Sequence, residues 1–394
     1  MHILVLLLAS LISLPIFAQV TFTQAETKLV HQILKEKDAS ITLSQTRARL
    51  LENAFLFEQA KQHNSTILTR QSAVGFSSDF HARRYTLTLL KNQFALPQVA
   101  MLGDKVWHPY SSQWLQTSLP RYPNNNVYAE SDLARLDKID LSHLAAGKLT
   151  LATLMSEQSM QNRYKLHQGD IELFKSLVAE HRRFNLIMQQ LNDKLNAQGL
   201  SQDKLEYIAK AELLRPTMLT YFGVTHSLHG ERSDYLDKLQ QRITAQAVHN
   251  YFEKNKQNFR YIDKVQANAV LFTDKAKAEQ FHRYAQAHPF EQAIIHFKQV
   301  DLFAAEKGLV TRQKNSSWAQ QVAFSLPPNQ LSKPIRSPQG QWLVTSTKQR
   351  FYAFYDKDSE TVKYQAKLAL TEVMAKKAYT ELKNHWFEQH NIKL

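Results

Sequence analysis

Two histidine pairs are the first residues whose spacing could do chemistry. His226 and His229 lie three apart, so on a helix they would share a face and could offer two ligands to a metal. No third ligand is spaced to complete a set, and solvated or core histidines are the expectation. His385 and His390 lie five apart and share a helical face poorly. No cysteine is present, which removes disulfides, zinc ribbons, thiol catalysis and acylated-cysteine anchors together. None of the nine glycines stands in G-x-G-x-x-G, G-x-x-x-x-G-K-S/T or G-x-S-x-G, so nucleotide loops and the nucleophile elbow are missing. An aromatic-rich stretch carries Trp107, Tyr110, Trp114, Tyr122 and Tyr128. It reads either as a peptide-contact surface or as a loop packing on its own core.

Charge narrows the partners. Lys and Arg number 49 against 35 Asp and Glu, a formal net charge of +14. Such a balance suits nucleic acid, anionic membrane or acidic polypeptides. The charges are mixed along helical stretches, as in Lys35-Glu36-Lys37-Asp38, without a long basic run. Nucleic-acid binding is therefore not expected. Residues 1–18 read as a secretion signal: Ile3 to Phe17 is uncharged and rich in Leu, Ile and Val, with small Ala18 before the polar Gln19. The stretch is short of the roughly 20 residues that span a bilayer. A periplasmic location follows as the expectation, with a retained N-terminal membrane anchor as the alternative.

These chemical features must be positioned by a chain of 394 residues, long enough for two or three domains. Helical periodicity runs over 24–37, 44–63, 80–94, 171–195, 203–214 (stopping before Pro216), and 234–254. The prolines and the Asn124-Asn125-Asn126 run between Leu102 and Asp132 predict a long loop or an ordered excursion. Val265–Phe272 reads as a strand, Lys275–Ala287 as a helix and Leu343–Thr345 as a closing strand. Beyond Asp358 a last helix carries the stripe Ala366, Leu370, Met374, Ala378, Leu382, Trp386, with Glu372 and Lys376 placed for an ion pair. The class is α+β, mostly α.

Within the mixed segment the order of motifs resembles parvulin-type (PpiC-like) peptidyl-prolyl isomerases. The residues carrying the resemblance are Val265–Phe272, then Phe290-Glu291-Gln292-Ala293, then Ala304-Ala305-Glu306-Lys307-Gly308. Ala323-Phe324-Ser325-Leu326, Pro328-Asn329-Gln330-Leu331-Ser332-Lys333-Pro334-Ile335 and Gly340-Gln341-Trp342-Leu343-Val344 follow in register. Tyr251–Phe259 is similar to the helix end that precedes such domains. The plan resembles the SurA-like exported foldases. It implies a signal at 1–18, a helical chaperone-like region at 19–258, one parvulin-like α/β domain at 259–352, and a C-terminal helix at 358–394 returning to the helical region. Beside a foldase of this bacterial kind, the glycosylation sequons at Asn64 and Asn315 read as chance.

The family grips proline in an apolar pocket above two histidines. The resemblance puts those histidine positions on Ala269 and Trp342 and the pocket positions on Lys307, Asn315 and Ala319. Proline isomerisation needs no nucleophile. Its barrier of about 18–20 kcal/mol falls when a shaped, partly dry site holds the twisted imide. Lysine, asparagine and alanine do not form that wall, so catalysis is expected to be weak or lost, and no residue is singled out as catalytic. Trp318, Phe324 and Trp342 are the peptide-binding candidates. The expected function is an exported chaperone for unfolded or newly translocated polypeptides, acidic ones included, without metal, cofactor, nucleotide or nucleic acid. The alternatives are an active isomerase with a pocket rebuilt around those three aromatics, and an assembly factor dedicated to one export or surface-polymer system.

Overall fold

The computed structural model describes residues 20–226 and 233–393. The expected signal at 1–18 and His229 lie outside the described residues. The chain forms two compact units, one built from the chain up to Asp237 together with the chain from Met374, the other from Lys238–Val373. The domain boundaries expected from the sequence lie at 258/259 and within 353–357.

The first unit is helical. Its elements are α1 (Gln24–Lys37), α2 (Leu43–His63), α3 (Ser78–Lys91), α4 (Ser112–Ser118), α5 (Glu130–Asp137), α6 (Ser142–Ala145), α7 (Leu151–Glu157), α8 (Met160–His167), α9 (Ile171–Ala197) and α10 (Gln202–Tyr221). Capping boxes start α1 and α2: Thr23 and Thr42 accept from the N3 amides while Glu26 and Gln45 reach back. The 27-residue α9 serves two cores. Its first half puts Phe174, Leu177 and Val178 among the residues of α4–α8. Its second half packs Phe184, Ile187, Met188 and Leu191 with α1, α2, α3 and α10. The stretch 102–132 is an ordered excursion: α4 buries Leu115, and Trp107, Tyr110 and Trp114 surround Phe174 with ring centroids 6.3, 5.8 and 5.4 Å away. Those aromatics pack on their own core.

Helix α10 does not stop before Pro216; it runs on to Tyr221 with the proline inside. Proline removes one intrahelical donor and crowds the preceding turn. The carbonyl of Leu213 in that turn accepts from Gln71 Nε2 at 3.0 Å, and Met218 and Phe222 beyond the proline are fully buried. The carbonyl that loses its donor is that of Glu212, four residues back, and the burial of Met218 and Phe222 favours continuing the helix past it.

The second unit begins as α11 (Asp234–Gln241) gives way to α12 (Ala245–Lys254). The single helix expected over 234–254 is broken because Thr244 caps a new one, accepting from the Ala247 amide. A five-stranded antiparallel sheet follows, ordered β2-β1-β5-β3 with β4 also on β5: β1 (Arg260–Phe272), β2 (Leu309–Thr311), β3 (Gln330–Leu331), β4 (Ile335–Arg336) and β5 (Trp342–Phe354). Helices α13 (Lys275–Ala287) and α14 (Phe290–His296) supply one buried cluster and α15 (Trp318–Ser325) the other. The turns before β2 and β5 use Gly308 at φ +77° and Gly340 at φ +86°. A Cβ on Gly308 would come within 3.0 Å of the Ala267 carbonyl oxygen.

The last helix, α16 (Glu360–Gln389), buries Val362 and Ala366 in the sheet unit and Ala375, Tyr379, Trp386 and Phe387 in the helical one. The predicted stripe at strict four-residue steps is corrected: Leu370, Met374 and Ala378 are only partly buried. The buried positions are instead Val362 and Ala366, then Thr371, Ala375 and Tyr379; the five-residue step from Ala366 to Thr371 turns about 140° around a helix of 3.6 residues per turn, so the two stretches bury different faces of α16.

This helix is fastened to the helical unit by Glu52 of α2. Its carboxylate accepts from Tyr379 Oη at 2.7 Å, Lys383 Nζ at 3.0 Å and Arg215 Nη2 at 2.5 Å. Arg215 also donates to Asn53 Oδ1 at 2.9 Å; Asn53 donates to Glu212, which Arg49 clamps. Burial alone would raise the Glu52 pKa, but the Arg215 charge and the three donors outweigh it and hold the group at about 2. A depressed carboxyl pKa contributes stability above the unfolded value and loses it as pH falls through the folded one. Glu52→Gln is therefore expected to destabilise the chain by about 3 kcal/mol at pH 7. In urea unfolding the difference from the parent should shrink steadily as pH drops from about 5 toward 2.

Candidate functional site

Strand alternation decides where the expected site residues go. Ala269, in the middle of β1, lies opposite Thr345 and is fully buried facing α15, with Ala267, Ala319, Ala323, Phe324 and Leu343 in the same cluster. Trp342 lies opposite Phe272, three residues along β5 from Thr345. An odd step along a strand turns to the other face. Trp342 accordingly packs with Val270, Phe281 and Phe290 beside α13, the Lys275 ammonium 5.4 Å from its ring centroid. The two positions matched to the histidines are not brought together. Trp318 and Phe324 do share the face of Ala269.

That face is filled by the chain itself. Small Ala319 and Ala323 let α15 approach the sheet closely, and Phe324 is buried, with the Arg312 guanidinium 5.4 Å from its ring centroid. Lys307 sits in the left-handed region at φ 52° after a short 3₁₀ turn, with its side chain exposed. Asn315 is exposed in the loop that leads to the Ser317 cap of α15. Of the three pocket positions, only Ala319 contributes to the buried surface.

Beside Ala269 a carboxylate serves as a structural lock. Asp301 Oδ1 accepts the amides of Ala269 at 2.9 Å and Phe303 at 3.1 Å, and Oδ2 accepts Asn268 Nδ2 at 2.7 Å. The Leu302 amide returns a bond to the Ala269 carbonyl at 2.8 Å. Across the strand, Thr345 Oγ1 donates to the Asn268 carbonyl at 2.9 Å, and Thr347 Oγ1 to the Ala323 carbonyl at 2.7 Å. These polar groups bind backbone, and none pairs a nucleophile with a base. Asp301→Ala would strand three buried donors and is expected to cost the sheet unit about 2–3 kcal/mol, with Asp301→Asn milder. Faster hydrogen exchange at the Ala269 and Phe303 amides would report the loss locally.

The helical unit holds a feature the sequence reading missed. A cavity of about 800 Å³ lies between the chain 96–102 and α9. Leu96, Val99, Met101 and Trp107 form its apolar wall, and α9 opposite presents Lys175, Arg182 and Arg183 together with Glu172 and Glu180, Lys175 being paired with Glu172 at 2.7 Å. Met101 is 85% exposed. An adjoining hollow of about 270 Å³ shares Leu96, Glu180 and Arg183 and is bordered by Arg84 and Lys91. Beneath it, Arg83 forks onto buried Glu157 (Nη1 to Oε1 2.6 Å), and His181 Nε2 lies 2.9 Å from Glu157 Oε2. Burial pushes the Glu157 pKa up, but the His181 and Arg83 bonds outweigh it and keep the carboxyl below its usual range. The available signal was the apolar run around Pro97, outside any helical period. His385 and His390, expected on different faces, both line a third hollow of about 260 Å³ with His63. Among the described residues no group of three His, Asp or Glu stands close enough to hold a metal.

Residues 243–363 match the model of the PPIC-type PPIase domain family. Among curated proteins, none matches the sequence. Solved structures that overlap it include the PrsA peptidyl-prolyl isomerase of Bacillus anthracis, at 17% identity and TM-score 0.21 over 52% of this chain and 83% of that one. PrsA of Bacillus subtilis overlaps at 18% and 0.19, over 66% and 95%. A structure from the pair of SurA-like chaperones PEB4 and Cj1289 of Campylobacter jejuni overlaps at 14% and 0.22, over 70% and 98%. Likenesses of this size support no inference about activity or clients. The match over 243–363 spans the sheet, its flanking helices and the α12 lead-in described above, and by it the chain carries a parvulin-type, PPIC-family peptidyl-prolyl isomerase domain.

Proposed function

We propose that the chain is an exported foldase that holds unfolded or newly translocated polypeptides, acting as a chaperone with weak or lost isomerase activity. The observation that carries the reading is the closed face around Ala269. Where the family's chemistry needs an open apolar wall, this chain places its own Phe324 and the Ala319–Ala323 surface, and sends Lys307 and Asn315 to solvent. Binding is supported by the cavity beside α9, whose apolar wall and border of mixed charge suit an extended segment with apolar and polar side chains. The +14 charge supports acidic clients and a salt-sensitive affinity. Export rests on the apolar run at 3–17. Among the described residues no helix is long and apolar enough to cross a membrane. Release without a nucleotide then depends on modest affinity or on folding of the client.

Two measurements test this. In a proline-tetrapeptide assay the chain is expected to turn over at least about a hundredfold more slowly than an active parvulin, the loss that a missing transition-state grip would bring; turnover within tenfold would overturn the lost-activity reading. In light scattering of a diluted unfolded outer-membrane protein, the chain should suppress aggregation. Met101→Glu, a change at an exposed side chain, should weaken that suppression several-fold without lowering thermal stability.

A further inference from the structure

Among the described residues, the outer part of β5 is a free edge that nothing above uses. Strand β5 pairs with β3 only at Ser346 and Thr347, and Asn329 bonds the Thr347 carbonyl; from Lys348 to Phe354 the side away from β1 has no strand. Among the described residues, no backbone group of 348–354 bonds outside the β1 ladder. The Tyr355 amide donates to the Phe259 carbonyl at 3.0 Å, which fixes the alternation along this ribbon. Counting back from that bond, the amide and carbonyl of Phe354 and of Tyr352 point to the free edge, while those of Ala353 turn to β1. An edge of this length, about 20 Å, accommodates a five- or six-residue strand.

Natural edges are usually blunted by proline or by charges aimed at the open side. This one has no proline. Its two cations are engaged elsewhere: Lys348 pairs with Glu291, and Arg350 donates to the carbonyls of Phe324, Ser325 and Leu326 at 3.2, 3.0 and 2.8 Å, closing the end of α15. Aromatic side chains are left exposed instead, Tyr352 at 45% and Phe354 at 38%. The register puts them on one face of the ribbon, opposite Ile262 and Arg260. Each ring carries a cation: the Arg260 guanidinium lies 3.6 Å from the Tyr352 centroid and the Lys256 ammonium 5.3 Å from that of Phe354. Neither cation has a carboxylate within ion-pair distance among the described residues.

We propose that an extended, acidic polypeptide segment adds to the free edge of β5 as a further strand, its main chain bonding at Tyr352 and Phe354 and its carboxylates meeting Lys256 and Arg260. Unpaired backbone donors and acceptors supply affinity without regard to sequence, and the two cations select for acidic side chains. This deepens the client-binding reading by naming a second contact site and the chemistry that it favours.

The test uses the purified full chain and two fluorescent octapeptides, alternating Val-Glu and alternating Val-Lys, read by anisotropy. The Glu peptide should bind at least about tenfold more tightly than the Lys peptide, and rising salt should erase the difference. Tyr352→Pro removes an outward amide and leaves the β1 ladder intact, so it should weaken Glu-peptide binding about tenfold or more, against a few-fold for Tyr352→Ala. The double variant Lys256→Gln/Arg260→Gln should abolish the preference for Glu over Lys, and it keeps the proposal testable if the proline variant unfolds. Equal binding of both peptides, or undiminished binding by a folded Tyr352→Pro, would overturn the proposal. So would sedimentation showing a dimer that Tyr352→Pro disperses, since the edge would then belong to a second copy. Aggregation suppression reads the broader function separately. If the parent suppresses aggregation and Tyr352→Pro binds peptide normally, the edge proposal falls alone; if peptide binding follows expectation without suppression, the chaperone reading falls alone.

Discussion

The Glu52 carboxylate is the point on which the helical unit depends. A buried carboxylate is unfavourable by itself, and this one is tolerated because three donors from two other helices converge on it. Tyr379 and Lys383 come from the end of the chain, more than three hundred residues away. The apolar part of the same contact, Phe55 against Tyr379 and Trp386 with ring centroids 5.8 Å apart in both cases, would bury a helix in several nearly equivalent rotations. The network through Arg215, Asn53, Glu212 and Arg49 removes that freedom, because a rotation of α16 would leave charged groups buried without partners. Packing supplies the affinity of α16 for its unit, and the ionic network fixes its register.

In the sheet unit the corresponding constraint is strand parity. The positions matched to the family's histidines fall on opposite faces because Ala269 meets Thr345 while Trp342 meets Phe272. Asp301 then ties Asn268, Ala269 and Phe303 into one rigid backbone arrangement. The surroundings of Ala269 are thus a carboxylate whose two oxygens are occupied by amides, with the Thr345 and Thr347 hydroxyls bonded to carbonyls beside it. The PPIC-type domain is held at these positions by a continuous set of hydrogen bonds.

How much of this was legible follows from the physics of each signal. Amphipathic helices were, because α1 and α9 alternate apolar and polar residues at the helical period, and α13 was found with its bounds intact. Pro216 misled because the packing that favours continuing the helix past it, at Met218 and Phe222, is tertiary and leaves no local mark. The outer parts of β1 and β5 escaped notice: Arg260–Lys264 and Lys348–Phe354 form a two-stranded ribbon largely open to water, so no apolar face marks them. The candidate site was legible as a set of positions but not as a geometry. The register between Ala269 and Trp342 is unbroken, so their faces follow from which residue of β5 pairs with which of β1, and that pairing leaves no mark in spacing alone. The α9 cavity was hidden for a simpler reason, since hollows are bounded by residues that no periodicity groups.

The division of α16 between the two units bears on the order in which the molecule can be built. Residues 238–373 are a single uninterrupted stretch, so the sheet unit can close as soon as that stretch is available. The helical unit cannot, because its last layer is encoded after the sheet unit in the chain. A chain delivered from its N-terminus thus keeps Phe55, Phe222 and the Glu52 carboxylate uncovered until the final twenty or so residues arrive. A stop codon or protease cut in α16 close after Val373 would leave that surface open for the life of the molecule, while every residue of the sheet unit would still be present.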